Sequence, residues 1–246
     1  MTAPMRTGWV VRIGQINYAE ACALQNRIVA ARKLNRVPDV LLLCEHPHVI
    51  TLGRNGMREH LLASEPVLRQ MGVEFHETNR GGDITYHGPG QLVAYPIFDL
   101  NEIRRDLAWY VRQLEEAMIR TSAEYGVKAE RRAGRRGVWV SVASGGEEKL
   151  GAIGVHVSRW VTSHGLAYNV ATDLRYFDLI VPCGIQGKRA TSLERLCGKR
   201  IEAEPVAETM ATHLGGCFDM DLCQARPEDL QHALAGVETP EFATSR

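Results

Sequence analysis

No two cysteines of this sequence stand at CxxC spacing; Cys22, Cys44, Cys183, Cys197, Cys217 and Cys223 are scattered along the chain. That removes the usual zinc-ribbon and dithiol signatures. There is no GxxxxGK[ST] phosphate loop, so nothing signals ATP in that mode. No apolar run approaches the ~18 residues of a membrane-spanning helix. Neither charge sign is in excess, with 29 Lys+Arg against 29 Asp+Glu, so no overall charge argues for nucleic acid or a membrane as partner, and neither is expected. Met1 to Gly14 carries no leader pattern, so the expectation is a cytoplasmic protein with reduced thiols. Repeats and low-complexity linkers are also missing. The expectation is therefore one α+β body, a main domain over 1–220 followed by a C-terminal helix and tail over 221–246.

What is present is enough for a real core: 246 residues, 45% hydrophobic and 24% charged. The stretch around which the chain is organised is Arg80-Gly81-Gly82-Asp83-Ile84-Thr85-Tyr86-His87-Gly88-Pro89-Gly90-Gln91. Four glycines and a proline describe a backbone that bends to approach something closely. Arg80, Asp83, Thr85, Tyr86, His87 and Gln91 crowd it with groups that bind or titrate. A solvated glycine-rich hairpin is the plain alternative.

Apolar spacing predicts a strand at Trp9–Ile13, a helix at Tyr18–Lys33 and a buried strand at Val40–Cys44. A strand at Gly72–Thr78 leads into the organising loop, and Leu92–Ile97 returns from it. Leu107, Tyr110, Val111, Leu114, Ala117, Met118 and Tyr125 mark the clearest amphipathic helix. Strands follow at Gly137–Val142 and Lys149–Val161, then a turn at Thr162–Gly165 and a hairpin partner at Leu166–Val170. Short helices are expected at Val206–Leu214 and Pro227–Leu234. Lys128, Arg131, Arg132, Arg135 and Arg136 form a basic segment, read either as a solvated face or as a docking patch for an acidic partner.

Cys183, between Pro182 and Gly184, is a thiol that its neighbours leave open to a ligand. A lone cysteine is commonly just a small buried apolar residue. Lys149 heads a strand whose next residues, Gly151, Ala152 and Gly154, are too small to fill space and leave a groove for an elongated ligand. A lysine ammonium beside a thiol favours the thiolate. Cys44, His46 and His48 resemble half a metal site, but Pro47 interrupts the strand and no fourth ligand is near, so no metal is expected.

RGGDITYHGPGQLVAYPI, Lys149 with GAIGVHVSRWVTSHGLAYNV, VPCGI with Thr191-Ser192-Leu193-Glu194, and EHPHVITLGR together resemble the octanoyltransferase family of lipoate biosynthesis. The resemblance spans roughly Gln15 to Glu194. It departs at His48 and Ile50, where the family usually has Pro and Tyr; neither position carries the chemistry.

The resemblance implies a mixed β-sheet flanked by helices, as in biotin and lipoate protein ligases of the class II synthetase type. It implies transfer of an octanoyl group from octanoyl-acyl carrier protein, through a thioester on Cys183, to a lysine of a lipoyl domain. That would be the first step of endogenous lipoylation. The acceptors would be 2-oxoacid dehydrogenases or the glycine cleavage H protein, with no cofactor. Lys149 matches the family's cysteine partner. The acyl-binding segments map to Arg80, Gly81, Gly82, Asp83, Ile84, Thr85, Tyr86 and His87, to Ala152, Ile153 and Gly154, and to Gly165, Leu166 and Ala167. Rival readings are an ATP-dependent lipoate ligase, a cysteine hydrolase using His87 or His164, and a non-catalytic carrier-binding module.

Overall fold

In a computed structural model of the chain, residues 5–142, 145–181 and 189–238 are described. The strands are β1 (Arg6–Gln15), β2 (Asp39–Glu45), β3 (Val49–Leu52), β4 (Glu74–Glu77), β5 (Ile84–His87), β6 (Gln91–Ile97), β7 (Glu130–Arg132), β8 (Arg135–Ser141), β9 (Glu147–Ser158), β10 (Val161–Asn169), β11 (Arg189–Ala190) and β12 (Met220–Ala225). The helices are α1 (Tyr18–Lys33), α2 (Glu65–Gln70), α3 (Leu107–Glu124), α4 (Leu193–Cys197), α5 (Ala203–Cys217) and α6 (Pro227–Ala233), with 3-10 turns at Arg58–His60 and Leu174–Leu179.

Nine strands of the described residues form one mixed sheet, ordered β12-β1-β2-β6-β10-β9-β8-β7, with β11 added parallel to β9. The strands alternate along their length between two cores. Leu92, Ala94, Leu166, Tyr168, Val138 and Leu150 pack with Tyr110, Leu114 and Met118 of α3 and with Met210 and Leu214 of α5. Val93, Tyr95 and Ala167 face the other way, toward Ala21, Leu24 and Ile28 of α1. Asp106 starts α3 by accepting a 2.9 Å hydrogen bond from the Trp109 amide. The expected α+β class, a mixed sheet flanked by helices, is what the chain adopts.

A second sheet, β4-β3-β5, covers the part of the α1 side that α1 leaves bare. Here three sequence expectations need correcting. The organising stretch is not loop throughout: Ile84–His87 is β5, antiparallel to β3. The strand before that stretch and the strand after it do not pair, since β4 lies in the small sheet and β6 between β2 and β10. The β9–β10 hairpin turns at Arg159 and Trp160 (φ 52° and 66°), not at Thr162–Gly165, which lies inside β10. Two bulky residues at positive φ carry no turn signature, whereas Thr-Ser-His-Gly does.

Residues 221–246, expected as a C-terminal helix and tail, include most of β12, which pairs in parallel with β1 in the large sheet. Leu230 and Leu234 pack into the same core as α1. Among the described residues no helix is long and apolar enough to cross a membrane.

Candidate functional site

Between the two sheets lies a cavity of about 600 Å³, a size suited to a small-molecule ligand. Its floor is the face of the large sheet that carries Trp139, Lys149, Ala152, Gly165, Ala167, Asn169, Gln91, Val93 and Tyr95. Five residue steps along β10, roughly 17 Å, separate the level of Asn169 from that of His164.

Lys149 reaches this face through an irregularity in β9. Val138 pairs with Gly151 but Trp139 with Lys149, so Leu150 is an extra residue in the ladder. Leu150 is fully buried on the α3 side, and a side chain on Gly151 would meet Met118 Sδ at 2.5 Å on that same side. Strict alternation would have sent Lys149 there too; the bulge turns it to the cavity, in line with Ala152 and Gly154. Lys149 Nζ lies 4.8 Å from the centroid of the Trp139 ring, a cation–π pair on the cavity floor. So Gly151 opens no groove; its smallness serves packing against α3.

Arg80 is buried and clamps Thr51, its Nη2 donating to the Thr51 carbonyl at 2.7 Å and to Oγ1 at 2.8 Å. A side chain at Gly154 would press on this clamp: a Cβ there would lie 2.8 Å from the Gly81 carbonyl oxygen and 2.9 Å from Arg80 Cδ. Arg80, Gly82, Asp83, Ile84, Thr85 and His87 line the cavity together with Ala152, Ile153, Gly154, Gly165, Leu166 and Ala167. Gly81 and Tyr86 do not. Gly81 is tied by its amide to the Val155 carbonyl at 2.8 Å. Tyr86 is fully buried in the core under the small sheet, 2.7 Å from His48 Nδ1.

Three histidines at the cavity's inner side are held neutral by burial. His46 Nδ1 donates to the Ile16 carbonyl at 2.7 Å, so its bare Nε2 accepts the Tyr95 hydroxyl proton at 2.7 Å. His87 and His164 are both pushed down to about 3, by desolvation first and then by neighbouring charges, Arg80 among them. Burial also raises the Tyr95 hydroxyl and takes the Cys22 thiol to about 11. A His87 this depressed is a hydrogen-bonding group at neutral pH, a poor acceptor of a whole proton. Cys44 Sγ lies 3.9 Å from His46 Nε2, but His46 is spent on Ile16 and Tyr95, and His48 turns away to stack 4.2 Å from Tyr176.

The basic segment is largely neutralised by ion pairs. Arg131 meets Glu115 and Glu116, Arg132 meets Glu130 and Glu147, Arg135 meets Glu147, and Lys128 meets Glu130. Arg135 and Arg136 line the cavity's rim, and Arg136 alone of the five has no ion pair among the described residues.

Cys183 lies outside the described residues. The chain before it ends with the Val181 amide bonded to the His60 carbonyl at 2.8 Å. The chain after it re-enters as β11, with Arg189 opposite Glu148 and Ala190 opposite Lys149.

Sequence reasoning missed Tyr18, Tyr95, Trp139, Asn169, Met57 and His60 as lining residues. Tyr18 belongs to a helix face that reads as core, and Trp139 to an apolar strand. Only the pairing of β8 with β9, which sets Trp139 against Lys149, gives Trp139 a meaning.

Residues 17–215 match the family described as lipoyl protein ligase A/B catalytic domain. The chain is 51% identical over 218 residues to an octanoyltransferase of Solibacter usitatus, covering 89% of this chain and 96% of the relative. It is 54% identical over 237 residues to an octanoyltransferase of Acidobacterium capsulatum, covering 92% and 96%. Among solved structures it is similar to a bipartite lipoate protein ligase from Thermoplasma acidophilum, with a TM-score of 0.73 at 14% identity over 93% of this chain and 90% of that one.

Proposed function

Because the chain belongs to the lipoyl protein ligase A/B catalytic domain family, we propose that it is an octanoyltransferase of lipoate biosynthesis. It takes an octanoyl group from an acyl carrier protein thioester and delivers it to a lysine amine of a lipoyl domain, in the cytoplasm. Lipoyl domains of 2-oxoacid dehydrogenases and the glycine cleavage H protein are the acceptors.

The Cys183 thiolate attacks the thioester carbonyl, and the carrier's thiolate leaves with a proton from the Lys149 ammonium, which becomes a neutral amine. The acceptor amine then attacks the enzyme thioester; the carbon–nitrogen bond forms, the carbon–sulfur bond breaks, and Cys183 regains its thiolate. The amine's proton passes to Lys149. Splitting the transfer into two steps is the usual gain of a covalent intermediate. An amide is more stable than a thioester, so no nucleotide is needed.

The observation that carries this reading is the apolar cavity with Lys149 at one end, where the chain leaving Cys183 docks as β11 directly beside it. Ala190 sits opposite Lys149 and follows Cys183 by seven residues, a span of at most ~25 Å, so the proposed pairing of Cys183 with Lys149 is within the chain's reach. An eight-carbon chain laid along Ala152, Gly165 and Ala167 gains ~0.8 kcal/mol per buried methylene.

Intact-mass spectrometry after mixing with octanoyl-acyl carrier protein, without ATP, should show one octanoyl adduct that Cys183→Ala abolishes. Charging of a lipoyl domain with free octanoate and ATP, with no transfer from the acyl carrier protein, would turn the assignment to a ligase. Release of free octanoate as main product would turn it to a hydrolase.

A further inference from the structure

Four buried polar groups cross the apolar cavity floor in a single file. His87 Nδ1 is 2.7 Å from Gln91 Oε1; Gln91 Nε2 is 2.8 Å from Asn169 Oδ1 and 3.1 Å from the Tyr86 carbonyl oxygen; Asn169 Nδ2 is 2.9 Å from the Thr191 carbonyl oxygen. The Thr191 amide in turn donates to the Lys149 carbonyl at 2.9 Å. A fatty chain has no use for such groups, and burying them is costly unless all are satisfied.

The file has a direction. Backbone carbonyls only accept, so the Tyr86 and Thr191 oxygens force both amide nitrogens to be where they are placed. Asn169 Oδ1 must then accept from Gln91, and Gln91 Oε1 must accept from His87. The proton of His87 is therefore on Nδ1. Its Nε2 makes no hydrogen bond among the described residues, and His87 lines the cavity.

We propose that Gln91 and Asn169 are positioning residues that lock His87 as its Nδ1–H tautomer, presenting a bare Nε2 to accept a hydrogen bond from the N–H of the attacking amine, and that tie this acceptor through Thr191 to the strand of Lys149. Nε2 orients the amine's lone pair toward the thioester carbon while Lys149 takes the proton. Orienting the reactants supplies much of such a step's acceleration. Around the ring stand Tyr18 from α1, stacked at 6.1 Å, His46 after β2 at 5.8 Å, Arg80, and His164 from β10. None of these offers Nδ1 a competing acceptor. The orienting role rests on the acyl-transfer reading; the tautomer does not.

Two-bond nitrogen–proton spectra of the imidazoles in the full chain test the tautomer directly. The expected result is an Nδ1–H His87 that stays neutral down to about pH 5, and an Nε2–H population in Gln91→Leu. In transfer from octanoyl-acyl carrier protein to a lipoyl domain, Gln91→Leu should lower the acceptor step about tenfold, a typical hydrogen bond's worth, while adduct formation on Cys183 stays within about twofold. Asn169→Asp keeps an acceptor for Gln91 but cannot donate to Thr191, so it should keep the tautomer and still slow the acceptor step. An Nε2–H His87 in the unsubstituted protein overturns the inference. So does a shifted tautomer with an unchanged acceptor step. Absence of any adduct in the unsubstituted protein removes the acyl-transfer reading and the orienting role with it, while the spectra still decide the tautomer.

Discussion

Lys149 and Trp139 face each other across the β8–β9 ladder, with the ammonium 4.8 Å from the centre of the indole ring. The Trp139 ring also has the Arg135 guanidinium at 5.6 Å. Cation–π pairs contribute ~0.5–2 kcal/mol, most where water is excluded. Replacing Trp139 by Leu should therefore lower octanoyl transfer by roughly 3–30-fold. Trp139→Phe, which keeps a weaker π face, should fall between the two. Steady-state rates on all three proteins check this, with thermal melts to separate loss of fold; equal losses in the Phe and Leu variants would remove the cation–π role.

For Lys149→Ala, the expectation is transfer reduced by ~10²–10⁴, the span of general acid–base assistance. The far-UV circular dichroism should be unchanged, because Lys149 is a partly exposed strand residue. A near-normal acceptor step would strip it of the assigned role.

Two glycines are set by close approach, and alanine at either should act through packing. In Gly165→Ala the new methyl would meet the Ala94 carbonyl oxygen at 2.1 Å and Pro96 Cδ at 2.7 Å. Overpacking of this kind costs ~1–3 kcal/mol, so its urea midpoint should drop. Gly154→Ala presses on the Gly81 carbonyl and Arg80. It should raise the KM for the octanoyl donor as well as reduce stability; a stability loss without a KM change would place Gly154 outside the ligand's path.

Acidification should weaken the fold before the carboxylates titrate. His87 and His164 are held near 3 in the native chain against an ordinary 6.5. Between those values the unfolded chain binds the protons and the native chain does not. Stability is thus complete above about pH 6.5 and declines as pH falls toward 3, by up to ~1.4 kcal/mol per pH unit for each histidine. Urea titrations at about pH 7 and pH 5 read this, and His164→Gln should flatten the slope.

At the rim, Arg136 and Arg131 should behave differently on charge reversal. Arg131 pairs with the buried Glu115 at 3.1 Å, so Arg131→Glu should chiefly lower the melting temperature. Arg136→Glu should leave the melting temperature near normal and slow turnover with the protein donor, most at low salt, since rim charges act mainly on association. A salt-independent effect would return Arg136 to the solvated surface.

Much of this was readable along the chain. Helix Tyr18–Lys33 and the Leu107–Glu124 helix follow from apolar spacing, and the family resemblance rests on motifs whose residues are all local in sequence. Most of the organising stretch does line the cavity, although Ile84–His87 within it is strand. Sequence alone also placed Lys149 among small residues. It could not say which face Lys149 would take, because side-chain alternation is broken by one extra residue, Leu150, that is visible only against the partner strand. Likewise Gln91 and Asn169, 78 positions apart, become one network only when β6 and β10 pair. Local patterns of polarity and turn chemistry determine which elements form, since they depend on neighbours a few residues away. Which side chains share a cavity depends on register between distant strands, and that is decided only when the whole core packs.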